Sequence, residues 1–183
     1  NNYSSYFTFC ANKIIGRCFK YLTDRFILVS NGEFNLGKSM HFLSADKSTV
    51  IYNAIADEGI KSCKHDNKFV IISLSRFDFQ KNMDMAYEIA RILSFDREIE
   101  FWWVGDGDDF LRLKQKSVEE NVNIKFIGFS DFPMHYLKSA DLYLSTSRFE
   151  GLPYALIEAA SVGLPIVATD VIGNNEVVQN NYN

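Results

Sequence analysis

No two cysteines of this chain stand at a metal-binding or redox spacing. Cys10, Cys18 and Cys63 form no CxxC and no Cys/His ligand spacing. A disulfide framework is therefore not expected, and a reduced cytoplasmic setting is. His41, His65 and His135 are scattered, so no metal centre is expected from them. Basic residues do not dominate either: 19 Lys and Arg against 23 Asp and Glu leave a net charge of −4. That balance argues against a nucleic-acid binder, which needs a basic face. Apolar runs stay well below the ~18 residues that span a bilayer. The opening stretch NNYSSYFTFCANKIIGRCFK lacks the basic region and following apolar run of a signal peptide. Its first residue is not Met, and the expectation is a piece cut from a longer protein. Solenoid repeats and low-complexity tracts are absent from the sequence.

What is present is core. Hydrophobic residues make up 47% of 183, enough for one domain or for one domain and part of another. From residue 69 onward short apolar runs alternate with helical patterns. FVIISL (69–74), EFWWVG (100–105), IKFIG (124–128), DLYLS (141–145) and PIVAT (165–169) read as strands. Each is nearly continuous in apolar character, as in strands covered on both faces. Helices are expected over 82–93, with Met85, Ile89, Ile92 and Leu93 on one face, and over 108–120, with Phe110, Leu111, Leu113 and Val118. Two more, 133–140 and 153–162, open on a proline, which suits a first helical turn. Such alternation predicts an α/β fold: a Rossmann-like parallel sheet with helices on both faces.

Residues 1–66 read differently. An amphipathic helix near 11–22 (Ile14, Ile15, Cys18, Phe19, Leu22) precedes a strand at 26–30, a helix near 34–43 and a strand at 48–52. Residues 56–67 are polar and aperiodic, and read as a linker. Two strand–helix units are too few for a sheet of their own, so 1–66 reads as the tail of a preceding domain and 67–183 as a second domain. Lys13, Arg17, Lys20 and Arg25 make the first helix basic. Such a helix can touch an anionic membrane surface, but packing of its apolar face within the first domain is the favoured reading.

In an open parallel sheet ligands bind beyond the C-terminal strand ends. The residues there are Ser75, Arg76 and Lys81; Gly105, Asp106 and Gly107; Gly128, Phe129 and Ser130; Ser145 to Glu150; and Asp170, Gly173, Asn174 and Glu176. Two cations and several helix starts suit a diphosphate, and spaced carboxylates suit sugar hydroxyls. Arg76 and Lys81 can also be solvated loop charges. Asp106 and Asp108 are expected to serve the turn and the helix cap rather than a metal. Gly105 and Gly107 lack the third glycine of a dinucleotide fingerprint. Most informative is RFEGLPYALIEAA (148–160), in which Glu150 precedes a helix and Glu158 lies one to two turns inside it, among alanines. A carboxylate so placed must be paired or must bind something. Pairing of Glu158 with Arg76 or Lys81 and ligand binding both remain open on spacing alone.

The stretch SRFEGLPYALIEAASVGLPIVATDVIGNNEVV (147–178) resembles the signature of retaining glycosyltransferases of family 4, which have the GT-B fold. It carries Glu150, seven residues, Glu158, then Gly163-Leu164-Pro165, Gly173 and Glu176. "SLSRFDFQKN" (73–82), "WWVGDGDD" (102–109) and "IKFIGF" (124–129) match further family segments in order. "VIYNAI" (50–55) matches the entrance to the second domain, with Ala54 where Gly is usual. The resemblance spans roughly residues 20–183. It implies the C-terminal half of a GT-B fold, with a remnant of the acceptor-side domain before it. By the same resemblance, Arg76 and Lys81 neutralise the diphosphate of a nucleoside-diphosphate sugar, and Glu158 accepts from the ribose. Glu150, with the amides of Gly151, Leu152 and Tyr154, faces the donor sugar and phosphate; Gly105 lines the donor site, and backbone near Ile127 and Phe129 meets the base. Glu150, Arg76 and Lys81 are the catalytic candidates. No metal or other cofactor is implied, and transfer keeps the anomeric configuration. The acceptor is not legible; a lipid-linked glycan in bacterial surface-polysaccharide or glycolipid synthesis, made at the inner face of the membrane, fits the family. The chain alone is expected to bind nucleotide weakly and to transfer nothing. A nucleotide-sugar epimerase of the same fold and a non-catalytic nucleotide-binding module are the alternatives.

Overall fold

A computed structural model describes residues 15–18, 20–56, 68–96 and 98–179. They form two compact units, divided between Asn53 and Ala54. Apart from Ala56, the expected linker 56–67 lies outside the described residues, as do Lys13, Ile14, Phe19, Cys10, Cys63 and His65.

In the first unit, residues 15–18 and 20–22 are helical. Two strands, β1 (Phe26–Leu28) and β2 (Ser48–Val50), pair in parallel around helix α1 (Asn31–Ser39). Helix α1 starts where it does because Ser30 caps it: the Ser30 hydroxyl accepts from Glu33 N–H at 3.1 Å. The Glu33 carboxylate reaches back to Val29 N–H at 3.2 Å, so the amide just before the cap is satisfied as well. Expected strand ends at 30 and 52 overshoot, and α1 begins three residues before the expected 34.

The second unit is a five-stranded parallel sheet in the order β5-β4-β3-β6-β7. Its strands are β3 (Phe69–Leu74), β4 (Ile99–Val104), β5 (Ile124–Gly128), β6 (Leu142–Ser145) and β7 (Ile166–Ala168). Helices α2 (Met83–Leu93), α3 (Phe110–Glu119), α4 (Pro133–Leu137), α5 (Tyr154–Ser161) and α6 (Asn174–Val177) connect or follow them. Alternate side chains of one strand enter opposite cores. Ile71, Phe101 and Trp103 pack with Met83, Ala86, Tyr87 and Leu113 of α2 and α3. Val70, Ile72, Trp102 and Val104 pack with Leu137, Leu156 and Ala159 of α4 and α5. Helices therefore cover both faces, as the continuous apolar strands require.

The buried face of α2 is Met83, Ala86, Tyr87 and Ala90, whereas Met85 and Ile92 are exposed. Of the face expected from Met85, Ile89, Ile92 and Leu93, Ile89 and Leu93 pack against the core, whereas Met85 and Ile92 do not. The small Ala86 and Ala90 let the helix approach the sheet between the large Met83 and Tyr87. On α3, Leu113 is buried while Leu111 and Val118 face solvent. Among the described residues no helix is long and apolar enough to cross a membrane.

The chain runs outward from β3 to β4 and β5, then returns to β6 on the other side of β3. The helix after β3 lies on one face and the helix after β6 on the other. Their connecting loops part, and a crevice opens at this switch point.

Candidate functional site

A cleft of about 550 Å³ occupies that crevice. Arg76 and Lys81 from the loop after β3, Gly105 and Asp106 after β4, and Phe129 and Ser130 after β5 line it, with Pro153, Tyr154 and Glu158 at the start of α5. Six of the expected site residues thus share one wall-to-wall space: Arg76, Lys81, Gly105, Phe129, Tyr154 and Glu158.

The other four, Ile127, Glu150, Gly151 and Leu152, do not line the cleft. Ile127 is the extra residue of a bulge, because Trp103 pairs with Phe126 while Val104 pairs with Gly128. Its side chain packs against the apolar core. Leu152 is buried. Gly151 turns its carbonyl towards Gly173, where an added Cβ would stand 2.2 Å from that oxygen. Gly173 also has φ +88, a conformation that favours glycine. The loop before α5 is thereby pinned from behind by the start of α6.

Glu150 lies beneath the cleft, with its side chain 6% exposed. It lines a narrow adjoining space with Lys81, Ser147 and Pro153. Its carboxylate accepts from Lys81 Nζ at 2.5 Å, Ser147 Oγ at 2.7 Å and Gln80 Nε2 at 3.2 Å. Lys81 is 18% exposed, so it is no solvated loop charge. Arg76 is 69% exposed and pairs with Asp78 at 3.0 Å. Spacing left open whether Arg76 or Lys81 pairs with Glu158; the structure pairs Lys81 with Glu150 and Arg76 with Asp78. Glu158 is half-buried and lines the cleft itself.

Packing fixes the loop that carries the cations. Phe77, fully buried between Arg76 and Lys81, meets Phe110 edge-on at 5.0 Å and Trp103 at 5.8 Å. Its amide donates to Asp106 O at 3.0 Å and its carbonyl accepts from Asp109 N–H at 3.1 Å. Burying one such ring is worth about 1.5–3 kcal/mol, so the loop is anchored independently of any ligand. Gly105 closes the same corner: at φ +130, a Cβ there would lie 1.9 Å from Ser75 O.

Asp106 accepts from Gly107 N–H at 2.8 Å, which serves the turn. The cap position of α3 belongs to Asp109, not to Asp106 or Asp108, and no side chain caps the helix. The Asp109 carboxylate instead binds Arg112, at 2.7 and 2.9 Å. This corrects the expected cap, since a cation one turn on outcompetes the helix amides.

Pro153 is the residue before α5 rather than its first turn, and no side chain caps that helix. Leu156 and Ile157 N–H return to Pro153 O. The N-terminal end of the helix dipole thus points at a space holding Lys81 and Arg76. Both glutamates act on one neighbour. The buried Tyr143 phenol is pushed up, first by burial and then by the charges of Glu150 and Glu158. It donates to Leu74 O at 3.1 Å.

Sequence reasoning placed Thr146 and Ser147 on the rim without a role and did not single out Gln80. Thr146 Oγ1 bonds Lys81 O and Asn82 O, both at 3.1 Å. Polar residues at both strand ends were visible, but which ones meet across the crevice depends on the return of β6 beside β3.

Residues 56–183, more than half of the chain, match the family described as glycosyl transferases group 1. The chain belongs to that family. Among curated proteins, this group 1 chain is similar to the capsular polysaccharide biosynthesis glycosyltransferase CapH of Staphylococcus aureus. The two are 31% identical over 177 residues, covering 92% of this chain and 49% of the relative. It is also similar to an Escherichia coli UDP-Gal:alpha-D-GlcNAc-diphosphoundecaprenol alpha-1,3-galactosyltransferase, 32% identical over 123 residues, covering 63% of this chain and 32% of the relative. The chain thus spans half or less of the length of these relatives. Among solved structures, HepE of Anabaena in complex with UDP-glucose superposes with a TM-score of 0.74 at 23% identity, covering 91% of this chain and 51% of that one. A mutant of S. aureus TarM solved with fondaparinux, alpha-GlcNAc-glycerol and UDP superposes at 0.79 and 20% identity, covering 88% of this chain and 33% of that one. These likenesses show that the group 1 chain has the fold of glycosyltransferases.

Proposed function

We propose that this chain carries the donor site of a retaining family 4 glycosyltransferase, and that the donor is a nucleoside-diphosphate sugar. One observation carries the reading. A single cleft at the switch point gathers Arg76, Lys81 and Glu158 under the uncapped start of α5. In the transfer, the bond from the anomeric carbon to the diphosphate oxygen breaks, and its electron pair leaves with the diphosphate. The barrier falls where fixed cations and helix dipoles meet that charge. Lys81 is fixed by Glu150, and Arg76 by Asp78 and Gln80. Glu158 accepts from the ribose hydroxyls, and the exposed ring of Phe129 borders the base. Glu150 acts from beneath, by holding Lys81 and the loop that faces the sugar. Relatives named for capsular polysaccharide and for a UDP-galactose donor support a bacterial surface glycan as the product class and a uridine nucleotide as the donor. The acceptor would be a lipid-linked glycan, reached by the whole protein at the cytoplasmic face of the membrane. No metal is needed in this reading, since Arg76, Lys81 and α5 supply the positive field.

Thermal shift tests it. At ten times Kd, UDP should stabilise by RT ln 11, about 1.4 kcal/mol, or roughly 3–6 °C for a chain of this size. Glu158→Ala should remove most of the UDP shift and leave a shift by inorganic pyrophosphate unchanged, because only UDP brings a ribose. No shift with UDP, or equal loss for both probes, would refute the assignment.

A further inference from the structure

Gln80 stands between the two loops of the crevice, and both polar atoms of its side chain are engaged, Nε2 across the crevice and Oε1 within its own loop. Its Nε2 donates to Phe149 O at 3.0 Å and to Glu150 Oε2 at 3.2 Å. Its Oε1 accepts from an Arg76 guanidinium nitrogen at 3.2 Å. The loops themselves are already joined without this side chain. Arg148 N–H bonds the Gln80 carbonyl at 2.8 Å, Arg148 reaches Phe79 O at 2.8 Å, and Thr146 holds Lys81 O. The side chain adds something else: it links an exposed cation on the rim to a buried carboxylate below it.

We propose that Gln80 is a positioning residue that sets Arg76 over the cleft by tying it to Glu150, so that both cations of the site are referenced to one buried carboxylate. The proposal rests on the donor-site reading above. Lys81 reaches Glu150 directly, and Arg76 reaches it through the Gln80 amide. An amide is the group that fits, because it accepts from a guanidinium with one atom and donates to a carboxylate with the other. A glutamate at this position keeps the acceptor and loses the donor, and a lysine does the reverse. Without the tether Arg76, at 69% exposure, keeps only Asp78 from its own loop. It then spreads over more rotamers and meets an anion less often.

The test is titration calorimetry of UDP into the 183-residue chain, with Arg76→Ala, Gln80→Ala, their combination, and Gln80→Glu. Loss of one hydrogen bond's worth of positioning predicts an affinity about 3–10-fold lower in Gln80→Ala. In the double variant the loss should be no greater than in Arg76→Ala alone, because Gln80 acts through Arg76. Gln80→Glu should bind about 10-fold more weakly at pH 8, and return towards the wild-type value near pH 5, where the introduced carboxyl takes up a proton and can donate again. The charged groups around it are Arg76, Asp78, Lys81, Arg148 and Glu150, so each point is read as a ratio to wild type at the same pH. Additive losses in the double variant, or a flat ratio across pH, would overturn the proposal, since a merely structural glutamine predicts both. Should Gln80→Ala not fold, Gln80→Met enters the same cycle. If wild type does not bind UDP, the donor-site reading falls, and this inference with it. If wild type and Arg76→Ala behave as expected and only the Gln80 variants fail, this inference alone is wrong.

Discussion

Replacing Lys81 with Met leaves a carboxylate under the loop with its main counter-charge gone. Glu150 is 6% exposed, and its ammonium partner sits 2.5 Å away at 18% exposure. Removing one member of a buried pair costs about 3–5 kcal/mol, because the other charge stays desolvated. Two donors remain here, Ser147 Oγ and Gln80 Nε2, and each bond to a charged group is worth about 1.5–3 kcal/mol. Those bonds persist in both proteins, but they keep Glu150 partly compensated, and the methionine stem preserves the packing of the lysine chain. The expected cost therefore falls just below that range, at about 2–3 kcal/mol, equivalent to roughly 4–12 °C in Tm for a chain of this size. Removing both charges together should be milder. In Lys81→Met/Glu150→Gln the amide still accepts from Ser147 and no buried charge is left, so the double variant should be more stable than Lys81→Met alone.

The assay is urea unfolding followed by tryptophan emission. Both tryptophans, Trp102 and Trp103, lie in β4, so the signal reports the five-stranded unit alone. A fall in midpoint at unchanged m-value measures stability rather than compactness. A shift below about 0.5 kcal/mol for Lys81→Met is the value typical of exposed pairs, and would refute the claim that this pair is buried and fixed. Strict additivity in the cycle would refute the contact itself.

Gly173→Ala should cost about 2–4 kcal/mol, combining a φ of +88 with a Cβ placed 2.2 Å from Gly151 O. Gly163→Ala is the control: its φ is +75 with nothing within 4 Å, so it should cost only about 1 kcal/mol of backbone strain, and equal losses in urea unfolding would refute the clash. In alkali, Tyr87 is pushed up to about 12, first by burial and then by its hydrogen bond to Glu120, whereas an unfolded tyrosine titrates near ~10. The folded chain keeps a proton that the unfolded chain releases, so this stability is intact below pH ~10 and declines as pH rises through about 12. Tyr87→Phe should flatten the decline of the urea midpoint between pH 9.5 and 11.5, leaving the part due to Tyr143; an unchanged slope would exclude Tyr87 as the source.

Strand positions in the second unit were legible because burial on both faces leaves an unbroken apolar run. FVIISL and IKFIG coincide with β3 and β5 to the residue. Helix faces were less legible, since Ala86 and Ala90 pack against the sheet through smallness and carry little signal beside Ile92. The short α6 escaped notice, with only Gly173 to mark its start. Membership of one rim could be read from strand ends and a switch-point rule. Pairing within the rim could not. Lys81 and Glu150 are 69 positions apart, and their meeting follows from β6 lying beside β3, an adjacency that no local pattern encodes.

That adjacency also determines how the cations can be used. Both are already paired with carboxylates inside the protein, Lys81 with Glu150 and Arg76 with Asp78. The pairs cancel much of the charge at long range, so the cleft gains little from steering by its own field. At contact distance the result differs. A diphosphate entering the cleft meets N–H groups already held in place, and the ordering that a free lysine would undergo on binding has occurred during folding. The donor-site reading therefore implies a site that discriminates by geometry rather than by net charge: sulfate or a single phosphate fills one cation's reach, while a diphosphate spans Lys81, Arg76 and the first turn of α5.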